Sequence, residues 1–394
     1  MNGTIYMPVG EVCSSISDTY REKKNMVTLI NTSDVLEGRV LNHERVPNSN
    51  LKGQFKKTFQ RDDILYSEIR PQNRRFAYVD FSPIDYIAST KLMVIRAKKD
   101  VVSPKYLYYF LKNSSTVAEL QLLAETRSGT FPQITFSEVA NLTIPVPSLA
   151  VQEVIVQTMQ CLEDKITCNE QINDNLQQQA QAIYHERFET VSPNDLPSEW
   201  RIVTLGEVAT ISNKSFNPLK EPEILLEHYS IPAFDEARFP VFELSTSIKS
   251  NKFIIDASCF MISKLNPTTK RVWKPYCLTG NAVCSTEFIV YKAKDQSITD
   301  FLYSVIDSGS FSDFMCSHVT GSTGSRQRTT PSDTLSYELI LPSEDELAEF
   351  QSLVSPMYAQ MRINAIENDK LKRLRDSLLP KLMSGEIDVS SVHL

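Results

Sequence analysis

Two stretches of the chain carry apolar residues at spacings that alternate between four and three residues, the heptad pattern of coiled-coil helices. Each stretch also places two asparagines on its apolar stripe, at matching positions. A buried asparagine costs stability but fixes the register of a helix pair. We therefore predict two long helices that pack against each other, although a helix that packs only on its own domain would carry a similar stripe. The predicted seam comprises Ile155, Met159, Leu162, Ile166, Asn169, Asn173 and Leu176 in the first helix, and Phe350, Val354, Met357, Met361, Asn364, Asn368 and Leu371 in the second.

Pro356 lies inside the second heptad stretch and leaves its helix open to two interpretations. A proline within a helix removes one hydrogen bond and produces a kink, whereas a proline at the first helical position is tolerated. Either the helix passes through Pro356 with a kink, or it begins there with Ser355 as its cap. In the second case an earlier short helix begins at Ser343, whose spacing from Glu346 fits a capping box.

Shorter apolar runs, bounded by turn residues, predict strands ahead of each heptad stretch. They lie at 63–69, 91–96 and 142–146 in the first half of the chain, and at 259–265, 287–291 and 337–341 in the second. A polar loop with a proline follows the first strand of each half, at 71–75 and at 267–271. Ser103 and Pro104 predict the start of a short helix, with the serine as its cap.

The two halves of the chain are copies of each other. At an offset of 196 residues, Gly10-Glu11-Val12 coincides with Gly206-Glu207-Val208, Pro71 with Pro267, and Arg75 with Arg271. At an offset of 195 residues, Gly129 coincides with Gly324, Asn169 with Asn364, and Asn173-Asp174 with Asn368-Asp369. A period of this length is too long for a solenoid and has the size of a domain. The sequence therefore predicts a duplicated domain, each copy ending in a long helix.

Charge is distributed unevenly, although the net charge of −7 taken alone disfavours a nucleic-acid partner. Residues 52–100 hold eleven lysines and arginines against six acidic residues, and residues 249–294 hold eight against two. Between them, residues 148–200 hold two basic residues against nine acidic ones. A locally basic surface contacts phosphates whatever the total charge, so both basic segments are candidate DNA contacts. Either segment alone is equally well explained as a solvated face.

Composition places the chain among globular proteins, with 41% hydrophobic and 23% charged residues. No stretch approaches the roughly 18 apolar residues of a membrane span, and the first residues do not resemble a signal peptide. We therefore expect a cytoplasmic protein with no membrane partner. The seven cysteines are odd in number and form no CxxC pair, which favours buried reduced thiols over disulfides or a zinc site.

The sequence contains no recognisable cofactor motif. Gly321-Ser322-Thr323-Gly324 is not followed by the Lys-Ser/Thr of a phosphate-binding loop, and the five histidines lack ligand spacing. We therefore expect no cofactor, no metal and no catalytic residue. Two alternatives remain: a remnant DNA methyltransferase or nuclease, which binding of S-adenosylmethionine by the isolated chain would reveal, and a coiled-coil scaffold or adaptor that does not read DNA.

Several segments, taken in order, resemble the specificity subunits of type I restriction–modification systems. Residues 200–208 look like the family's domain-opening segment, 64–75 like its strand and loop, and 127–133 with 142–147 like the segment that enters the helix. The resemblance covers nearly the whole chain, and its order occurs twice. It departs at the helix start, where the usual Glu-Gln pair is replaced by Gln152-Glu153 and by acidic residues 344–346.

The resemblance implies an α+β fold with two target-recognition domains, each followed by a long helix, the two helices packing as an antiparallel coiled coil. The implied boundaries are 1–148 for the first domain, 149–190 for the central helix, 191–197 for a linker, 198–343 for the second domain, 344–385 for the C-terminal helix and 386–394 for a tail. A helix of about 35 residues is about 50 Å long, enough to separate half-sites one DNA turn apart.

The same resemblance implies a non-catalytic role in which the chain reads a two-part sequence of double-stranded DNA. Its implied partners are DNA adenine methyltransferase (methylation) subunits and restriction (helicase-nuclease) subunits. Because the β-rich portions of the two copies differ in sequence, we expect an asymmetric DNA target.

Polar and basic loop residues of both copies are the candidate DNA contacts, because arginine, lysine, glutamine and asparagine suit base edges and phosphates, and hydroxyls add contacts. For any single residue an ordinary exposed loop side chain is an equally good interpretation. The candidates are Arg70, Gln72, Asn73, Arg74, Arg75, Arg127, Ser128, Thr130 and Gln133 in the first copy, and Asn266, Thr268, Thr269, Lys270, Arg271, Ser322, Thr323, Ser325, Arg326 and Arg328 in the second.

Overall fold

The computed structural model describes residues 4–49, 53–127, 132–192, 194–221, 223–320 and 327–389. The chain divides into two compact units. Unit 1 comprises Met1–Lys165 together with Leu371–Leu394, and unit 2 comprises Ile166–Lys370. Each unit contains a β-rich domain and segments of both long helices, which agrees with the predicted α+β class. The domain boundaries drawn from the sequence stay a prediction.

Unit 1 is built from short strands and helices. Its strands are β1 (Ile5–Pro8), β2 (Cys13–Ile16), β3 (Met26–Ile30), β4 (Val35–Leu36), β5 (Arg39–Val40), β6 (Arg45–Pro47), β7 (Phe55–Lys57), β8 (Ile64–Ser67), β9 (Phe76–Tyr78), β10 (Tyr86–Ser89), β11 (Leu92–Ala97) and β12 (Thr143–Val146). Its helices are α1 (Val9–Val12), α2 (Pro104–Lys112), α3 (Ser114–Arg127), α4 (Phe136–Asn141) and the first part of α5 (Leu149–Tyr184).

Unit 2 repeats this plan after a π-helical turn at His185–Glu189. Its strands are β13 (Arg201–Thr204), β14 (Ala209–Ile211), β15 (Ser215–Phe216), β16 (Leu225–Tyr229), β17 (Val241–Leu244), β18 (Lys252–Ile254), β19 (Cys259–Ser263), β20 (Val272–Trp273), β21 (Ala282–Ser285), β22 (Phe288–Ala293), β23 (Val319–Thr320), β24 (Arg328–Thr329) and β25 (Glu338–Leu341). Its helices are α6 (Leu205–Val208), α7 (Ile231–Ala237), α8 (Thr299–Ile306), α9 (Gly309–Ser317), α10 (Pro331–Thr334) and most of α11 (Glu344–Ser384).

The sheets of the two units have matching strand orders. The antiparallel sheet β2-β11-β8-β9 of unit 1 has its counterpart in β14-β22-β19-β20 of unit 2. In the second sheet of each unit two strands pair in parallel, β3 with β10 and β16 with β21, between antiparallel neighbours. The ribbon β1-β12 likewise matches β13-β25. The sequence repeat is therefore also a repeat of the fold.

Strand β8 and its counterpart β19 are buried along their whole length, which explains their nearly continuous apolar sequence. Successive side chains of a strand point to opposite faces. Ile64 and Tyr66 accordingly pack into one core cluster of unit 1, and Leu65 packs into another. In unit 2, Phe260 and Met261 divide between two clusters in the same way. Each of these strands separates two cores.

Helix α2 begins as predicted at Pro104, but Ser103 does not cap it through its side chain. The Ser103 amide donates to the Oε1 atom of Gln152, at 2.8 Å. Gln152 is fully buried, and its Nε2 atom donates to the carbonyl oxygens of Val101 (3.1 Å) and Pro147 (2.9 Å). One glutamine in the first turn of α5 thus fixes the entry of both helices of unit 1.

Helix α11 is continuous through Pro356, so the interpretation in which the helix begins at Ser355-Pro356 is wrong. The helix begins after Ser343, whose Oγ atom accepts a hydrogen bond from the Glu346 amide at 3.4 Å. Pro356 and Ser352 both lie on the exposed side of the helix. The Ser352 carbonyl, which loses its helical partner to the proline, is therefore open to water.

The helices pair antiparallel within unit 2. The Asn169 side chain donates to Asn368 Oδ1 at 2.8 Å, and the Asn364 side chain donates to Asn173 Oδ1 at 2.8 Å. From Asn169 to Asn173 along α5, the partner changes from Asn368 to Asn364 along α11. The two helices therefore run in opposite directions. Asn368 also donates to the Ile166 carbonyl oxygen at 3.2 Å. The matching asparagines of the two heptad stretches therefore meet each other.

All fourteen predicted seam residues are buried or half-buried. The prediction of buried cysteines is only partly correct. All seven are free, but Cys161 and Cys168 are exposed. These two lie seven residues apart on α5, outside the predicted seam, so the heptad pattern turns both thiols to solvent.

We expect Asn368→Ala to destabilise the fold by about 1–3 kcal/mol, because it leaves the fully buried Asn169 amide short of a partner. Denaturant unfolding followed by circular dichroism measures the loss. Gln178→Ala, at an exposed position of α5, is the matched control and should change stability by less than about 0.5 kcal/mol. Equal stability of the two variants would remove the asparagine pairs from the forces that hold the helices.

Candidate nucleic-acid interface

A turn loop follows the central buried strand of each unit: residues 68–75 after β8, and residues 264–271 after β19. Each loop contains a residue with positive φ immediately before a buried proline, Arg70 at φ 44° and Asn266 at φ 48°. This left-handed conformation costs free energy for residues other than glycine and persists only where surrounding contacts enforce it. Both copies hold the same strained turn, so the loop geometry belongs to the duplicated framework.

The contacts that enforce the turn are the same in both units. The Arg70 amide donates to the Pro132 carbonyl oxygen at 3.0 Å, and the Asn266 amide donates to the Gln327 carbonyl oxygen at 3.0 Å. Isolated β-bridges join Ile69 to Gln133 and Leu265 to Arg328. The structure therefore places each turn loop beside the segment that the sequence predicted as the second group of DNA contacts.

Each turn loop presents three exposed side chains, which the fold does not bury. They are Arg70, Gln72 and Asn73 in the first loop, and Thr268, Thr269 and Lys270 in the second. The remaining described candidates, Arg74, Arg75, Gln133, Asn266, Arg271 and Arg328, are half-buried. The two sets of three exposed side chains differ in chemistry, although the backbone turn that carries them is the same. Contacts with two different DNA sequences would require such a difference.

Several predicted contacts are engaged within their own unit. Arg75 donates to the Ser33 carbonyl oxygen at 3.0 Å, and Arg74 donates to Ser114 Oγ at 2.9 Å. Arg271 forms a two-pronged pair with Asp235, at 2.6 and 2.9 Å, and its side chain is 13% exposed. These arginines shape the loops, and a DNA contact would have to use their remaining donors.

Lys270 pairs with a buried carboxylate. Its Nζ atom lies 3.0 Å from Asp307 Oδ1 and donates to the Asp307 carbonyl oxygen at 2.7 Å. Burial raises the pKa of Asp307 above its usual value, and Lys270 opposes that shift. The lysine therefore anchors the end of the second turn loop to the end of α8 while its side chain stays 42% exposed.

Matching positions beside the two turn loops carry opposite charges. In unit 1, Lys91 lies 3.5 Å from Glu68 and donates to Gln133 Oε1 at 3.4 Å. In unit 2, the position of Lys91 is occupied by Glu287, which accepts two hydrogen bonds from Arg328 at 3.0 and 3.2 Å. This hydrogen-bonded pair raises the pKa of Arg328. The two surfaces thus differ in electrostatics as well as in side-chain chemistry.

Part of the predicted contact set lies outside the described residues. This applies to Ser128, Thr130, Ser322, Thr323, Ser325 and Arg326. Arg127 ends α3, and its side chain also lies outside the description. These residues stay predictions.

The residues that hold the turn loops in place were not predicted from the sequence. Gln121, which is 7% exposed on α3, accepts the Gln72 amide at 3.2 Å through its Oε1 atom and donates to Glu125 at 2.7 Å. Asp235 and Asp307 lie 36 and 37 residues from the loop residues that they hold. No local spacing signals such pairs, because both members come together only through the tertiary fold.

Other kinds of site were sought in the described part of the chain. Among those residues, no three His, Cys, Asp or Glu side chains are grouped as a metal site would require. None of the described helices has the length and apolar character needed to cross a membrane.

We expect Arg271→Gln to lower stability by roughly 1 kcal/mol, because the variant loses a charge-assisted pair that is only partly shielded from water. Lys249→Gln, at an exposed position of the same domain, is the control. Thermal unfolding in parallel buffers compares the two. If the variants unfold alike, Arg271 does not hold the second turn loop to α7.

Comparison with known proteins identifies the class of this architecture. Residues 6–178 match the family model described as the type I restriction modification DNA specificity domain. The chain is 27% identical to the HindI specificity subunit of Haemophilus influenzae, over 92% of this chain and 94% of that protein. It is 24% identical to the MjaIX specificity subunit of Methanocaldococcus jannaschii, over 79% of this chain and 77% of that protein.

Two solved structures share the fold. The type I restriction–modification S subunit from M. genitalium aligns with a TM-score of 0.55 and 15% identity, covering 97% of this chain and 96% of that one. A chain from a structure concerned with complex assembly and conformational transition of the type I system aligns with a TM-score of 0.51 and 18% identity, covering 97% and 98%.

The duplicated β-rich domains and their long helices thus match the architecture of proteins described as type I restriction–modification specificity subunits. The comparisons support the family that the sequence resembles: its DNA specificity domain matches residues 6–178, and the chain is similar to a type I specificity subunit over 92% of its length. The family assignment and the fold class predicted from the sequence are confirmed.

Proposed function

We propose that the chain reads a bipartite, asymmetric sequence of double-stranded DNA, one half-site through each turn loop and its neighbouring segment. The observation that carries this proposal is the repeated turn with unlike exposed side chains: Arg70, Gln72 and Asn73 in one copy, Thr268, Thr269 and Lys270 in the other. The shared backbone turn would hold the side chains of both loops in the same way toward DNA, and different side chains select different bases.

The proposal includes partners. The chain docks DNA adenine methyltransferase (methylation) subunits and restriction (helicase-nuclease) subunits in the cytoplasm, and its helices set the spacing between the half-sites. Support comes from the family and from the paired helix segments. A pure scaffold is less well supported, since it would not require exposed, chemically distinct loops at equivalent places.

Methylome sequencing tests the target. Cells that carry the chain with its cognate methylation subunits should show modified adenines in a motif of two unlike halves separated by a fixed spacer. A palindromic motif, or no motif that depends on this chain, would contradict the proposal.

We expect the purified chain alone to transfer no methyl group from S-adenosylmethionine to DNA, because the sequence contains no recognisable cofactor motif. Incorporation of labelled methyl groups into plasmid DNA measures the activity. Addition of the methylation subunits is the positive control and should restore it. Methyl transfer by the chain alone would replace this proposal with that of an enzyme.

A further inference from the structure

A cavity of about 480 Å³ lies in unit 2, next to the second turn loop. Its walls come from β20 and the residues after it, from the ends of α7 and α8, and from one face of α11 between Ser355 and Arg362. Lys270, an exposed residue of the turn loop, is part of the lining. This volume falls in the range of cavities that hold small organic ligands.

Aromatic rings dominate the wall. They belong to Phe234, Trp273, Tyr276, Tyr303 and Tyr358. Phe234 meets Trp273 edge to face with ring centroids 5.3 Å apart, and Tyr303 meets Tyr358 in the same manner at 4.9 Å. Rings fixed in this way form a rigid lining for a flat aromatic group, which gains both burial and ring contacts.

The lining carries more positive than negative charge. Four cationic side chains (Arg238, Lys270, Lys274 and Arg362) face two carboxylates (Asp300 and Asp307), and Arg238 also pairs with Asp174 outside the lining, which leaves an excess of one positive charge. The two lysines pair with the two aspartates.

Two arginines of the lining lie beside these pairs. Arg362 donates to the Tyr276 carbonyl oxygen at 3.1 Å. Arg238 meets Asp174 at 3.2 Å in a pair that is more than half exposed on both sides. Both guanidinium groups therefore retain donors for an anion.

The lining also holds a buried indole beside a phenol. The Trp273 side chain is 3% exposed. Burial raises the pKa of Tyr276 to about 12, and a side-chain hydrogen bond with Trp273 opposes that shift. The Tyr276 hydroxyl, also in the lining, donates to the Arg238 carbonyl oxygen at 3.0 Å.

In unit 1, the counterpart of β20 is covered by the chain itself. There the hairpin β4-β5 lies against β9, the counterpart of β20, and Gly38 exchanges backbone hydrogen bonds with Phe76 (2.9 Å) and Tyr78 (3.2 Å). A Cβ atom on Gly38 would lie 2.3 Å from the Tyr108 hydroxyl, so the hairpin is closely packed. The duplicated framework thus carries a packed hairpin in one copy and an aromatic cavity in the other.

We propose that this cavity binds a nucleoside monophosphate, with the base among the aromatic rings and the phosphate at Arg362 and Arg238. A free nucleotide and a nucleotide of single-stranded DNA share this chemistry. Other aromatic anions would also suit this cavity. We infer a nucleotide because Lys270 belongs both to the cavity and to the second turn loop, so this inference rests on the proposed DNA-reading function.

Tryptophan fluorescence of the full chain tests the proposal. The chain has two tryptophans, so Trp200→Phe leaves Trp273 as its only indole reporter. Titration with dAMP to about 10 mM, well beyond a millimolar Kd, should give a saturable signal. Deoxyadenosine should bind at least about tenfold more weakly, because it cannot use the arginine donors.

Variants locate the site. Arg362→Gln should weaken dAMP binding about tenfold, which is the scale of one charge-assisted hydrogen bond. Arg201→Gln, which removes an exposed arginine of β13, should leave binding unchanged. Ala359→Phe narrows the cavity from an exposed helical position and should abolish the signal, with thermal unfolding confirming that each variant is folded.

The outcomes separate this inference from the proposed function. No saturable signal, or equal binding by Arg362→Gln and Arg201→Gln in folded protein, would overturn the cavity assignment even if the chain reads its duplex. Binding of dAMP by a chain that does not recognise duplex DNA would support the cavity and contradict the proposed function. Competition by a short single-stranded oligonucleotide would assign the site to a DNA strand, and its absence to a free nucleotide.

Discussion

Replacing Arg70, Gln72 and Asn73 together with alanine should abolish recognition of one DNA half-site while leaving the fold intact. All three side chains are exposed, and the hydrogen bonds that hold this turn use the backbone atoms of these residues, which alanine preserves. A side chain that reads a base contributes about 1–3 kcal/mol of discrimination, so loss of two or more such contacts lowers specific binding by at least about thirtyfold.

Methylome sequencing with the cognate methylation subunits measures this result. The modified motif should lose its requirement at one half or disappear, while thermal unfolding of the variant stays unchanged. The matched control is the double variant Thr268→Ala, Thr269→Ala in the second loop, which should relax the other half of the motif. Lys270 is left in place because its removal would strand the buried Asp307 carboxylate. An unaltered motif in both variants would exclude the turn loops from DNA reading.

Inserting one heptad into each long helix should lengthen the spacer of the DNA target without changing its halves. Seven residues add about 10 Å to a helix, equal to about three base-pair steps. Both helices need the insertion, because the antiparallel asparagine pairs fix their register. Suitable places are after Leu162 in α5 and after Leu371 in α11, on the unit 1 side of the asparagines in each helix.

DNA twist sets the size of the shift. Three base-pair steps also rotate the DNA double helix by about 100°. Insertion of one heptad, by contrast, rotates the two ends of a coiled coil very little relative to each other. We therefore expect a spacer longer by about two or three base pairs, read directly from the methylated motif. Insertion into α5 alone is the control, and it should lower stability and activity because the seam loses its register. Normal methylation at the old spacer in the doubly extended protein would show that the helices do not set the distance.

Periodicity predicted those parts of the structure that repeat along the chain. The heptads predicted the helix seam, and the matching asparagines predicted a fixed register, with which the hydrogen bond from Asn169 to Asn368 agrees. The offset of 196 residues predicted a duplicated fold, and in the structure the duplication extends to the strained turns at Arg70 and Asn266. Such features can be predicted because they depend on local sequence or on a comparison of the two copies, and a single chain contains both copies.

Tertiary partners were beyond sequence reasoning. Arg271 was predicted as a DNA contact, and its match to Arg75 gave no hint that one would pair with a carboxylate of α7 and the other with backbone carbonyls. The difference arises where the copies diverge, at the hairpin β4-β5 in unit 1 and at α7 in unit 2. Side chains that hold a loop cannot be distinguished from those that read DNA by residue type alone, since both uses favour arginine.

The division of the chain has a consequence for its synthesis. Unit 2 is one uninterrupted segment, whereas unit 1 also needs residues from 371 onward, and Leu379, Leu382 and Met383 complete the core that contains Ile155 and Met159. The first domain to leave the ribosome is therefore the last to be finished. Until translation reaches the end of α11, the apolar face of α5 in unit 1 lies open to water and to other nascent chains. A chaperone or an early-binding partner subunit would act most usefully in that interval.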